Sequence, residues 1–398
     1  MQESLSNHVF AMTQGIGLVA LLWLWLGSTD IALKRLFSLL IASLLLISIA
    51  PYLENSKESN INIAIALLLI AFFWLPVIYW RLIHYLTTTV SNQNQWGTKH
   101  NIFPGLVTIL AGWLMLLPEE RSRALFVLED AHLSISETIL LVSVFLLFLG
   151  WLFFSLYYVV KITQRLVWYR RQLPKLFSNF TGKDLRWVDW QGGLLLLAWV
   201  TVALGYSDVF GQTRFLSLLT GSLLLMLLLL VIAIWGISQS PAFASITSLQ
   251  VPLQALITKD AAAPGEDEDK TRRYQNSALT EKDIEVYKHK LLEQMERDIY
   301  LDPELSMPKL ARSAGVPANY VSQTINEAFN CNFYQLINAY RIRFAQKVLR
   351  ESNDNILNVA LASGFNTRSA FYNAFKQNTG LTPSQYRLKQ QSDQAKTQ

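Results

Sequence analysis

The chain has 398 residues, of which 52% are hydrophobic and 16% are Asp, Glu, Lys or Arg. Soluble domains carry about 25% charged residues, so this balance argues against both a wholly soluble protein and a disordered one. The formal net charge of +5 is modest, and the single cysteine, Cys331, excludes an intramolecular disulfide framework and a multi-cysteine metal site.

A bilayer-spanning helix needs roughly 20 mostly apolar residues. Seven segments meet this pattern: Val9–Gly27, Leu36–Leu53, Ile61–Ile83, Ile102–Pro118, Thr138–Val160, Trp190–Tyr206 and Phe215–Ile237. The fourth and sixth are the shortest. The first does not read as a cleaved signal peptide, because residues 1–8 hold no Lys or Arg to make a positive leading region. The links after segments one, three and five carry Lys34, Arg35, Arg81, Lys99, Lys161, Arg165, Arg170, Arg171, Lys175, Lys183 and Arg186. Those after segments two, four and six carry only Lys57, Arg121, Arg123 and Arg214. Lys and Arg mark the cytoplasmic side, so eleven against four places the N-terminus outside and the C-terminus in the cytoplasm, which requires an odd number of spans.

Polar groups in the spans are few: Gln14, Arg81, His84 and Gln191. Intramembrane ionisable residues default to functional candidates, but Arg81 and His84 lie near an interface, where anchoring is the stronger reading. The outer links hold Glu119, Glu120, Glu129, Asp130, His132, Glu137 and Asp208, a set read as solvated surface before it is read as a cation or metal site. The histidines His8, His84, His100, His132 and His289 are scattered. No His-Glu-x-x-His run, P-loop or Gly-x-Ser-x-Gly elbow occurs. No catalytic, metal or cofactor site is therefore expected.

The composition changes after about Gln239. Residues 241–281 read as a linker, with Ala-Ala-Ala-Pro-Gly at 261–265 and the acidic run Glu266–Asp269. Residues 282–390 read as a charged helical domain, and 391–398 as a frayed polar tail. From Ser306 to Lys389 ten basic residues (Lys309, Arg312, Arg341, Arg343, Lys347, Arg350, Arg368, Lys376, Arg387 and Lys389) face three acids, Glu327, Glu351 and Asp354. Such an excess favours the DNA phosphate backbone, although on its own it is weak evidence.

Helical spacing is more specific. Asp283–Arg297 carries an apolar stripe at Ile284, Tyr287, Leu291, Leu292 and Met295. A short helix follows Ser306, Gly315 breaks it, and a second runs from Pro317 with Val321, Ile325 and Ala328 inward. This is the spacing of a helix-turn-helix. After a longer helix, about Phe333–Arg350, the pattern recurs. Asn355 caps a short helix, Gly364 breaks it, and Thr367–Gln377 follows with Phe371, Ala374 and Phe375 inward, before Gly380 and Pro383 end the pattern. A joining helix of about 18 residues spans roughly 27 Å, which with flanking packing sets the two second helices near one DNA turn apart, about 34 Å. Their outward faces carry Asn319, Ser322, Gln323 and Asn326, then Arg368, Ser369, Tyr372, Asn373 and Lys376. Asn, Gln and Arg read base edges bidentately. The competing reading, ordinary solvated faces, has to hold twice over.

The run from Asn355 through Gly364-Phe365-Asn366-Thr367-Arg368 to Thr382-Pro-Ser-Gln-Tyr-Arg387 resembles the C-terminal signature of AraC/XylS-type transcription regulators. Leu310-Ala311, Tyr320–Asn326 and Tyr340-Arg341 match as well. The resemblance covers about Leu301–Arg387, roughly a fifth of the chain. It implies that the second helix of each unit reads DNA. It also implies that Arg341 and the amide end of the Ile356 helix support the fold or touch phosphate. Asn373 stands where the family often has Arg. The seven spans, and the run Trp235–Phe243, are similar to a smaller membrane-bound group in that family.

The expected fold is all-α: a seven-helix transmembrane domain, 1–240, followed by a double helix-turn-helix. The expected function is that of a one-component regulator in the cytoplasmic (inner) membrane, binding promoter DNA. By resemblance it activates through RNA polymerase. Its other expected partners are the lipid bilayer, a small-molecule or envelope signal, and a second copy of itself in a homodimer. Two other readings stay open, namely a membrane enzyme or transporter fused to a regulatory DNA-binding domain, and a plain anchor without a ligand.

Overall fold

A computed structural model describes residues 2–27, 30–49, 61–88, 98–115, 135–180, 182–206, 213–237, 239, 242 and 279–397. Nearly all of the expected linker, with its acidic run Glu266–Asp269, lies outside the described residues. So do Lys57, Glu119, Glu120, Arg121, Arg123, Glu129, Asp130, His132 and Asp208, and the side chains of Glu137 and Arg214. Among the described residues every regular element is helical, and an isolated antiparallel bridge pairs Phe177 with Ser306. The chain divides into two compact units, Met1–Leu166 with Leu185–Pro241, and Val167–Asp184 with Ala242–Gln398.

The first unit holds α1 (Gln2–Leu26), α2 (Ile31–Ser48), α3 (Ile61–Thr87), α4 (Ile102–Met115), most of α5 (Ile135–Leu176), α6 (Arg186–Tyr206) and α7 (Thr213–Val231). All seven apolar segments are thus helical over much of their length. Among the described residues, four helices are long and apolar enough to cross a membrane: His8–Leu26, Ile31–Ser48, Asn62–Thr87 and Phe145–Leu176. At 14 residues α4 reaches only about 21 Å, short of the roughly 30 Å hydrocarbon layer.

Inward side chains such as Phe37, Ile41, Phe73, Val77, Leu82 and Ala111 are buried, whereas Leu22, Trp23, Ile109, Phe153 and Leu196 point outward and exposed. Soluble monomers rarely leave so much apolar surface uncovered. Phe72 stacks on Trp151 at 4.1 Å, tying α3 to α5. Gly17 lets α1 approach α2, since a Cβ there would sit 2.5 Å from the Leu45 side chain. The polar residues of the spans meet one another: Gln14 donates to Ser48 Oγ at 2.6 Å, Tyr79 donates to Gln191, and Arg81 donates to Asn101.

The helix α5 runs far beyond the expected Val160. Its 42 residues extend roughly 63 Å, and the basic residues from Lys161 to Lys175, expected in a link, stand on helix. Arg165 caps the end of α3, donating to Thr87 O at 2.9 Å and to Thr88 Oγ1 at 2.8 Å. A cation is favoured there because the last carbonyls of a helix lack partners and carry partial negative charge.

The second unit holds the last turns of α5 and then α8 (Glu281–Glu296), α9 (Met307–Ala314), α10 (Ala318–Ala328), α11 (Phe333–Glu351), α12 (Ile356–Ala362), α13 (Arg368–Thr379) and α14 (Pro383–Thr397). Thr280 and Asp283 form a capping box at α8, as do Asn332 and Gln335 at α11. Asn355 accepts from Leu357 N and Thr367 accepts from Ala370 N, fixing the starts of α12 and α13. The stretch read as a terminated pattern and a frayed tail is instead α14, helical through Thr397. Pro383 opens it, Gln385 N donates to Thr382 Oγ1, and Thr382 N donates to Gln385 Oε1, a second signal of a helix start.

Candidate nucleic-acid interface

The first helix-turn-helix is α9 and α10, both packed on α8. Met307, Leu310 and Ala311 of α9 and Val321 and Ile325 of α10 are buried. Gly315 makes the turn with φ +62°, a left-handed conformation that suits glycine. The rings of Tyr287 and Tyr320 stack at 5.8 Å, joining α8 to α10. On the outward face Asn319, Ser322 and Gln323 are half-buried and Asn326 is exposed. Gln323 Nε2 donates to Glu327 Oε1 at 2.9 Å, one helical turn on.

The second helix-turn-helix is α12 and α13, packed on α11 and α14. Its core gathers Ile342, Ala345, Leu349, Val359, Ala360, Phe365, Phe371, Ala374 and Phe375. Phe371 and Phe375 lie four residues apart on α13, are fully buried and meet edge to face at 5.5 Å. Gly364 turns between the helices with φ +80°, and a Cβ there would sit 2.7 Å from Leu301 O. Only glycine fits that close approach.

Burying the Phe371 and Phe375 face forces the opposite face of α13 outward. Arg368, Ser369, Asn373 and Lys376 are exposed, and Tyr372 is half-buried. The Arg368 guanidinium lies over the Tyr372 ring, 5.0 Å from its centroid, and donates to Tyr372 OH at 3.1 Å. That hydroxyl also pairs with Ser384 Oγ at 3.3 Å. The Ser384 hydrogen bond and the Arg368 charge together lower the pKa of Tyr372. Ser384 was not among the sequence-based candidates. Its signal was the Thr382-Pro-Ser-Gln385 capping box that starts α14. All nine candidates therefore stand on two second helices of one fold, and none of the nine is fully buried.

Arg341, on α11, takes a different place. Its side chain is fully buried. Nε donates to Tyr300 O and Nη2 to Asp302 O, each at 2.7 Å, and the guanidinium lies 5.5 Å from the Phe365 ring. Burial lowers its pKa to about 10, with Asp302 chief among the groups that oppose the shift, so it is charged at neutral pH. It binds together the strand of chain before α9 and the turn before α13, the fold-supporting one of its two expected roles.

Residues 310–389 match the family model described as a helix-turn-helix domain. The melibiose operon regulatory protein of Escherichia coli (strain K12) is 33% identical over 94 residues, which are 23% of this chain and 31% of that protein. An uncharacterised HTH-type transcriptional regulator of Staphylococcus aureus (strain COL) is 29% identical over 90 residues, 23% of this chain and 12% of that protein. The chain thus spans about a third or less of the length of these relatives. Among solved structures, the C-terminal domain of AraT, a response regulator from Geobacillus stearothermophilus, is 24% identical with a TM-score of 0.25, over 28% of this chain and 88% of that one. The chain carries an AraC-type helix-turn-helix domain at its C-terminus, and its relatives there are regulators of that family.

Proposed function

We propose that the chain is a membrane-anchored, one-component transcription regulator that binds promoter DNA through both helix-turn-helix units. The observation that carries this is the double unit on one joining helix, α11, with polar side chains outward on α10 and on α13. On this reading Asn319, Ser322, Gln323 and Asn326 meet one major groove, and Arg368, Ser369, Tyr372, Asn373 and Lys376 the next, about 34 Å away. The first relative is named for an operon it regulates. The shared stretch is the helix-turn-helix region alone, so we assign promoter DNA to this chain, and no sugar.

Residues 1–240 form the membrane domain, with seven spans, the N-terminus outside and the DNA-binding half in the cytoplasm. Residues 241–281 are the linker and 282–390 the DNA-binding domain, with α14 running on through Thr397. The eleven-to-four Lys and Arg bias and the outward apolar faces support this. The polar residues of the spans pair with neighbouring helices, which favours an anchor or sensor over a catalytic or transport path. Activation through RNA polymerase and dimerisation belong to the same proposal.

Two measurements test it. Reporter fusions after Tyr52, Trp96 and Glu129 are expected to read outside, inside and outside, and a cytoplasmic signal at Glu129 would sink the seven-span topology. The chain in detergent is expected to retain duplex DNA, with log affinity falling linearly against log salt as Lys and Arg displace counterions. Binding that ignores salt, or no binding to any promoter fragment, would defeat the DNA-binding reading.

A further inference from the structure

The segment between α5 and α6 does not stand apart from the DNA-binding half. Residues 177–184 are part of the second unit, together with the last turns of α5. The end of α5 holds this segment in shape: Tyr169 OH donates to Lys183 O at 2.7 Å, and Arg170 Nε donates to Asp184 O at 2.9 Å. The segment in turn lies against the chain that leads into the first helix-turn-helix. Phe177 bridges Ser306, the residue before α9, and Ser178 N donates to Leu305 O at 3.3 Å. Ser178 Oγ donates to the same carbonyl at 2.7 Å. The Phe180 ring meets Tyr334 of α11 at 5.1 Å, and Lys183 pairs with Glu304 at 3.2 Å.

At the centre is Arg341. Two of its donors go to the docked segment, Nη2 to Ser178 Oγ at 3.0 Å and Nη1 to Ser178 O at 3.4 Å. The remaining contacts run to Tyr300 O, Asp302 O and the Phe365 ring. Glu304 extends the chain of contacts, because its other carboxylate oxygen accepts from Asn366 Nδ2 at 2.9 Å, two residues before Arg368. A fully buried guanidinium is held in place only while its donors are met, since each unmet one leaves charge without compensation. These contacts of 177–184 run to Glu304, Leu305, Ser306, Tyr334 and Arg341, which are not among the nine candidate reading residues.

We infer that Ser178 is a positioning residue for DNA binding: by completing the hydrogen bonds of Arg341 it lets the end of α5 fix both helix-turn-helix units in their reading arrangement. The segment 177–184 is then the place where a change along α5 reaches the DNA-binding half. This rests on the DNA-binding reading above.

The test uses the full chain in detergent, with 40-base-pair duplexes enriched from a random pool on the parent protein as probe. Ser178→Ala is expected to weaken binding about tenfold, the scale of one lost charge-assisted hydrogen bond, and to speed amide exchange across Phe365–Phe371. Ser178→Thr keeps the hydroxyl and is expected to restore both. In a Cys331→Ser background, Phe177→Cys with Ser306→Cys places two thiols opposite each other at the bridge, within disulfide range. The oxidised pair is expected to bind more tightly than the reduced pair. Parent-like affinity and exchange in Ser178→Ala would overturn the inference, as would failure of the crosslink in a folded chain. If the parent itself retains no duplex, the DNA-binding reading fails and takes the inference with it. That outcome differs from the others because exchange is read without DNA.

Discussion

In the first helix-turn-helix the outward positions of α10 are short or amide side chains, Asn319, Ser322, Gln323 and Asn326, and the nearest charge on that helix is the acid Glu327. In the second, α13 exposes two cations, Arg368 and Lys376, and the first lies over an aromatic ring, 5.0 Å from its centroid. The cores differ as well. The first unit is closed on α8 by buried aliphatic residues and the Tyr287–Tyr320 stack, whereas the second packs Phe365, Phe371 and Phe375 against α11. One plan thus yields a neutral face and a cationic face. Affinity from phosphate attraction should come mainly from the second unit, and the amides of the first should contribute discrimination. Substitutions in the two units should therefore fail in different ways.

The largest expected effect is in the second core. Phe375 is fully buried and touches Phe371 and Tyr386. Truncating a buried Phe to Ala typically costs about 3–5 kcal/mol, a large part of a small domain's stability. Phe375→Ala is expected to unfold the second unit and abolish binding to every sequence together. A variant that melts like the parent but loses only sequence preference would show Phe375 on DNA. It would also reverse the facing of Arg368, Ser369, Tyr372 and Asn373.

Next in size is Arg368. The guanidinium over the Tyr372 ring, hydrogen-bonded to its hydroxyl, which Ser384 also holds, is pre-oriented, so little freedom is lost when it meets a base. Arg368→Ala is expected to cost about 1–3 kcal/mol at the preferred site and relax preference at one or two base pairs. Lys376, exposed in the last turn of α13, is expected on substitution by Ala to weaken all sequences about equally. Uniform loss from Arg368→Ala would make it a phosphate contact, and the contrast between the two faces would reduce to net charge.

Much of this unit was legible from local signals. Asn355 as a cap, and Gly315, Gly364 and Gly380 as breaks, act within a turn of themselves, so spacing alone marked α9 to α13. The nine reading candidates followed because an apolar stripe on one side of a short helix dictates the other side. Two features were not legible for opposite reasons. The start of α14 is written in Thr382 and Gln385, yet Gly380 and Pro383 read as an end, because proline at the first position of a helix looks the same in sequence as proline after the last. The docking of Ser178 on Arg341 joins residues 163 positions apart, and no local pattern encodes such a pairing. The N-terminal half was legible as apolar helices. The continuation of α5 to Leu176 was not, because hydropathy falls where Lys161 and Arg165 begin while helix propensity does not.

The smallest expected effect bears most directly on the neutral face. Glu327 is exposed, sits one turn after Gln323 and holds its amide at 2.9 Å. Two consequences of removing its charge oppose each other. Loss of a negative group near the groove lowers repulsion from phosphate, while loss of the acceptor frees the Gln323 amide to rotate. An exposed side chain pair at this spacing is worth only about 0.2–0.5 kcal/mol, so the orienting contribution is small. The charge acts on every phosphate within a Debye length, about 10 Å at 0.1 M salt. Repulsion should win. Glu327→Gln is expected to tighten binding to all duplexes by roughly two- to threefold at 0.1 M salt, and the gain should vanish near 1 M, where the Debye length falls to about 3 Å. A titration series across salt with matched and mismatched duplexes reads both. If binding instead weakens at a single base pair, whatever the salt, the pair Gln323–Glu327 reads DNA as one unit, and the acid on α10 belongs to recognition.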